Sequence, residues 1–197
     1  MLPVPAWLDA NQVADRLIIN GLPAKVTYFL STKPPEIITS YYQNLWQKRG
    51  NTKHKNVRLD HWHILSGLEN EKLYTVQVRA SNNGSSGYLA VTDLTKIGKN
   101  KTKQVPAMSG SNIANDVSSY DPGQTGRTVQ LHNSFSIVSN ASFYQQYYEG
   151  LGWTNDIINK SATGAVLVFR KHNEAAHIVV SSLNGTTHVV HQLVSMK

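Results

Sequence analysis

Apolar residues along the chain recur with two different periods. Ile37, Ile38, Tyr41, Tyr42, Leu45 and Trp46 are spaced by steps of three and four, the signature of one helix face. Pro34 and Pro35 suit the first turn of that helix, Thr32 and Glu36 suit its positive end, and Gly50 suits its stop. The spacing predicts a helix over 34–48. A second one is predicted over 136–149, with Ser134 or Ser136 as cap, Val138, Phe143, Tyr144, Tyr147 and Tyr148 as its face, and Gly150 or Gly152 as its end.

The other period is two. The run from Leu73 to Arg79 alternates as a sheet with one wet face does. Strands are predicted at Arg16 to Ile19, Lys25 to Leu30, His61 to Leu65, Leu73 to Ala80 and Gly87 to Val91. They are predicted again at Thr128 to His132, Ala165 to Arg170, His177 to Ser182 and Thr187 to Gln192. Asn20-Gly21 and Asn184-Gly185 supply the positive φ angles of tight hairpins. Residues 6–15 read as a short helix, with Trp7, Leu8 and Val13 packing inward.

Shifting the chain by 102 residues lays Thr39 to Trp46 on Ala141 to Tyr148, Gly50 on Gly152, Phe29 on Leu131, Val76 on Ile178 and Val78 on Val180. The expected fold class is therefore α+β: a tandem duplication of a β-α-β-β-β unit, each an antiparallel sheet with one helix packed on one face. Expected boundaries are 1–94 for a first unit with an N-terminal extension, 95–127 for a polar basic linker, and 128–197 for a second unit. A structureless connection of that length is unusual inside one compact domain.

Composition narrows the setting. Ser, Thr and Asn supply 49 of 197 residues and charged residues only 16%, while cysteine is absent. Disulfides, thiolate metal sites and cysteine nucleophiles are thereby excluded. The neutral, hydroxyl- and amide-rich composition leans toward an exported or periplasmic protein whose signal peptide has been removed, with the cytoplasm as the alternative. No run approaches the length of a transmembrane helix.

Charge is one-sided. Residues 1–103 carry 14 Lys/Arg against 7 Asp/Glu, and residues 104–197 carry 5 of each. The excess gathers at Lys48, Arg49, Lys53, Lys55 and Arg58 and at Lys96, Lys99, Lys101 and Lys103. These nine form the candidate anion-binding set; the plainer reading is two solvated loops.

Chemical motifs are missing. There is no Gly-x-x-x-x-Gly-Lys, no Gly-x-Gly-x-x-Gly and no Gly-x-Ser-x-Gly. The serine-glycine stretches at 84–87 and 109–111 read as turn and linker chemistry. The pairs Glu69/Glu71 and Asp116/Asp121 lie in turn-like or linker segments. His61/His63 and His188/His191, with His177 on the preceding strand, lack carboxylates to complete a coordination shell and read as sheet histidines. The helical aromatics read as core, and the sheet aromatics Tyr74, Tyr88 and Phe169 are too scattered for a base-stacking platform.

The expectation is thus a protein with no catalytic residues, no metal and no cofactor. Its expected role is a non-enzymatic protein-binding or structural component of a bacterial cell-envelope assembly, such as a pilus, secretion or adhesion apparatus. Protein partners in an assembly are expected first. The alternative is a nucleic-acid or anionic-surface binder using the basic first half; its oligomeric state is left open.

Overall fold

The computed structural model describes residues 2–50, 53–97 and 104–197, with Lys53 described by its backbone alone. It corrects the expected fold class. Among the described residues the fold is mostly large antiparallel sheet, with thirteen strands, two short helices and 17% of the residues helical, and not a tandem α+β repeat. The strands that tip this balance lie in segments too polar to register as strands. The N-terminal helix expected at 6–15 is instead the strand β1 (Asp9–Gln12), followed by β2 (Arg16–Ile19) and β3 (Leu22–Ser31). After α1 (Pro35–Arg49) the basic stretch expected as a loop is β4 (Lys53–Leu59). Then come β5 (Trp62–Glu69), β6 (Lys72–Ser81), β7 (Gly84–Asp93) and a 3-10 turn at Leu94–Lys96. Ten residues of the expected linker are β8 (Asn112–Asp121), which leads into β9 (Gln124–Asn133). After α2 (Ile137–Gly150), β10 (Thr154–Lys160) precedes β11 (Gly164–Lys171), β12 (Glu174–Leu183) and β13 (Thr186–Met196).

The chain divides into two compact units. One comprises Met1–Leu17 and Leu22–Asn100, the other Ile18–Gly21 and Lys101–Lys197. In the first, the sheet runs β4-β5-β6-β7-β3 with β1 on the far side of β3, every pair antiparallel. Helix α1 packs on β5 and β6. Its buried stripe is narrower than the sequence suggested: Ile38, Tyr42 and Trp46 sit in the core with Phe29, Leu65, Val76, Val78 and Leu89, while Tyr41 and Leu45 are half-buried and Ile37 is exposed. Steps of four keep one line of side chains over the sheet, and the intervening positions rotate to the helix shoulders. Pro34 is the N-cap without a side-chain bond, so Thr32 does not cap, and Gly50 closes the helix at φ 73°. The Tyr42 hydroxyl donates to the Pro3 carbonyl at 2.9 Å, anchoring the N-terminal segment beside buried Leu2.

In the second unit the order is β10-β11-β12-β13-β9-β8, again antiparallel throughout. Ser136 caps α2 by accepting from the Ser139 amide at 3.0 Å, and Gly152, at φ 75°, ends it. Ala141, Tyr144 and Tyr148 are buried against Leu131, Leu167, Phe169 and Ile178. Val138 and Tyr147, expected in the face, are 58% and 40% exposed. Asn133 and Asn140 hold each other through two side-chain hydrogen bonds of 2.8 and 3.0 Å, both buried. Such reciprocal pairing lets two amides enter a core without orphaned donors. Among the described residues no helix is long and apolar enough to cross a membrane.

Candidate functional site

Alternation along β3 to β7 divides the first unit's side chains between two faces. Phe29, Leu65, Val76, Val78 and Leu89 point to α1, so their sequence neighbours fall on the opposite, open face. Register then decides which of these meet. Tyr28 is the direct partner of Tyr88, Tyr88 of Gln77, Gln77 of Ile64, and Ile64 of Val57. One row further along, Leu59 faces Trp62, and Arg79 faces Ser86, which faces Leu30.

These rows assemble an aromatic cluster. The Tyr28 and Tyr88 rings are 5.5 Å apart and Trp62 lies 6.1 Å from Tyr88. The Arg79 guanidinium lies over the Trp62 ring, 4.9 Å from its centroid. Around them Leu30, Val57, Leu59 and Tyr88 are exposed, Leu59 by 60% and Tyr88 by 37%. A strip of Trp, Tyr and Arg beside exposed aliphatics is unusual on a protein surface. Of the three sheet aromatics singled out in the sequence, only Tyr88 belongs here. Tyr74 and Phe169 face the cores. Tyr28 and Trp62 were missed, and the available signal was parity: Tyr28 is one residue from the core position Phe29, and Trp62 is three residues, an odd step, from the core position Leu65.

At one end of this face lies an open cleft of about 780 Å³. Its walls include Arg79 and the β6–β7 turn residues Asn82 and Asn83, with His61 from the β4–β5 turn and Trp7 and Asp9 from the N-terminal segment. Serine hydroxyls line the floor. One of them, Ser85, donates to the Lys33 carbonyl at 2.8 Å, so it serves the turn.

The nine basic candidates do not share one element. Lys48 and Arg49 end α1, and Arg49 pairs with Glu69 at 3.3 Å. Arg58 pairs with Glu36 at 3.5 Å. Lys55 is exposed on β4, opposite Ser66, on the open face. Lys96 is exposed on the 3-10 turn. The Lys53 side chain and Lys99, Lys101 and Lys103 lie outside the described residues.

Strand parity also separates the histidine pairs. His188 is the cross-strand partner of His132, on the open face of the second sheet, whereas His191 is buried on the helix side. His61 is in a turn, and His63 faces Glu36 across 3.9 Å. Among the described residues no three His, Asp or Glu side chains gather as a metal site. His191 lies against the Tyr148 hydroxyl and stacks on the Tyr144 and Tyr148 rings. It borders a pocket of about 200 Å³ that Arg127 also lines. Burial first, and the Arg127 charge second, push its pKa down to about 4. Arg127 itself grips the buried Asp116 through two bonds of 2.9 and 2.7 Å. Burial raises the Tyr144 and Tyr148 hydroxyl pKa values, so both stay protonated donors. The ensemble is a packed, neutral histidine rather than a poised base.

No family model matches the chain, and neither curated proteins nor solved structures yield a match.

Proposed function

We propose that this protein is a non-enzymatic, protein-binding component, and that the open face of the first sheet is its recognition surface. The observation that carries the reading is the cluster of Tyr28, Trp62, Tyr88 and Arg79 with the exposed Leu30, Val57 and Leu59 around it. Trp, Tyr and Arg are the residues that dominate binding energy at protein interfaces, because they bury much area for little lost side-chain freedom. Nucleic acid is the weaker reading. Two of the basic candidates, Arg49 and Arg58, are already paired with carboxylates, and phosphate tracking needs unpaired cations around the stacking rings. A place in a cell-envelope assembly is supported by composition alone, and membrane and periplasmic fractionation of the source cells tests that part.

The surface is tested by replacing Tyr88 with a photo-crosslinking residue in the source cells, with Val138 on α2 as an exposed control. A discrete adduct from position 88, absent from position 138 and lost on Trp62→Ala, is expected. Adducts that are equal at both positions, or that persist in Trp62→Ala, overturn the assignment. Melting of Tyr88→Thr should stay within about 1 kcal/mol of the parent, as for other exposed substitutions.

A further inference from the structure

Resting on the protein-binding reading, we propose that the cleft at the end of the first sheet anchors a single carboxylate of an extended peptide segment of the partner, through Arg79. Arg49, Arg58, Arg127 and Arg170 each pair with a carboxylate of the chain itself. Arg79 pairs with none among the described residues; its guanidinium lies over the Trp62 ring instead, and the residue lines the cleft. A cation held over a ring face spends none of its N–H donors on that contact, so they stay available to a ligand. Their fork matches a carboxylate bidentately, and the position is set before binding, which lowers the ordering cost.

The remaining walls fit the same ligand. Asn82, Asn83 and Ser81, all exposed, offer neutral donors and acceptors to a peptide backbone, and exposed His61 lines the same cleft. Asp9 sits on the opposite rim. In register, Arg79 faces Ser86, Ser86 faces Leu30 and Leu30 faces Asp9, three strand spacings or about 14 Å across. A negative rim at that distance repels a polyanion that spans the cleft and tolerates one carboxylate held at the far wall. The aromatic strip continues from Trp62 onto the open face, so side chains beyond the carboxylate have Tyr88 and Tyr28 to pack on.

The test uses the whole chain, isotope-labelled, and follows the Trp62 indole and Arg79 side-chain NMR signals. The probes are acetyl-Gly-Glu-Gly-amide, its Gln counterpart, sodium acetate and a ten-residue oligothymidylate. The Glu peptide should shift both signals saturably. Its affinity should fall at least about ten-fold on Glu-to-Gln replacement in the peptide, or on Arg79→Lys in the protein, as loss of a charge-assisted fork implies. Equal binding of the Gln peptide, unchanged binding by Arg79→Lys, or no shift at tens of millimolar overturns the proposal. Acetate binding as tightly as the Glu peptide overturns the peptide assignment in favour of free carboxylates. Tighter binding of the oligonucleotide overturns it in favour of a polyanion. The two readings remain separable: crosslinks from position 88 that survive in Arg79→Gln preserve the protein-binding surface while removing the anchor.

Discussion

At the scale of single residues, two buried side chains carry definite energetic expectations. Trp46 is 1% exposed, and its indole Nε1 is the one buried side-chain polar atom without a partner among the described residues. Trp46→Ala should cost about 3–5 kcal/mol, the range for a large core aromatic, measured by urea denaturation. Trp46→Phe should cost clearly less, because it fills most of the volume and removes the unpaired donor. His191 predicts a pH dependence. Its pKa is pushed from 6.5 to about 4 in the folded chain, so between those values the unfolded chain holds more protons. Stability is therefore complete above about pH 6.5, falls as pH drops through the window and levels off near 4, with a loss of about 3 kcal/mol from this group. Denaturation at pH 7 and pH 4.5 should show that His191→Gln loses less on acidification than the parent does. An equal loss in both would place the acid sensitivity elsewhere.

At the scale of elements, the helices were legible, and of the thirteen described strands β1, β4, β8 and β10 were not. Predicted spans of 34–48 and 136–149 fall within one residue of α1 and α2, because proline, serine and glycine mark the ends as local chemistry. The strands β4, β8 and β10 escaped notice for one reason. Every residue of β10 is exposed, β8 reads N-I-A-N-D-V-S-S-Y-D, and β4 is studded with Lys, His and Arg. β4 and β10 lie at sheet edges, where a strand is selected by the hydrogen bonds its neighbour offers and needs little apolar periodicity. Tight strand pairing also explains one glycine. Gly87 is the partner of both Phe29 and Val78, and a Cβ there would lie 2.0 Å from the Gln77 carbonyl oxygen and 2.8 Å from the Phe29 ring. The carbonyl belongs to the ladder and cannot swing aside. Gly87→Ala should destabilise by at least about 3 kcal/mol, beyond the usual cost of overpacking, as read from thermal melts. A melt within two or three degrees of the parent would mean that the β6–β7 pairing is looser than described.

At the scale of the whole chain, the formal charge of +7 invites a nucleic-acid reading that the side chains do not favour. Binding to single-stranded DNA or RNA should be weak and vanish near physiological salt, since it would rest on diffuse attraction. Fluorescence anisotropy at two salt concentrations checks this. Submicromolar affinity at physiological salt, lost on joint replacement of Lys53, Lys55 and Arg58, would restore the alternative. The candidate surface was only partly legible for a related reason: Tyr28 and Trp62 are 34 residues apart in sequence, and only strand register brings both beside Tyr88.

The sequence by itself determined the local decisions: where the two helices start and stop, that Asn20-Gly21 and Asn184-Gly185 carry positive φ, and that Ile38, Tyr42 and Tyr144 go inside. Those follow from backbone sterics and short-range periodicity, which a window of a dozen residues contains. Only the tertiary structure decided that polar segments become strands, that Tyr28, Trp62, Tyr88 and Arg79 share one face, and that His188 and His191 do not. Each depends on which strand lies beside which and in what register. A change of one residue in register sends every side chain to the other face, and that choice is made by long-range pairing.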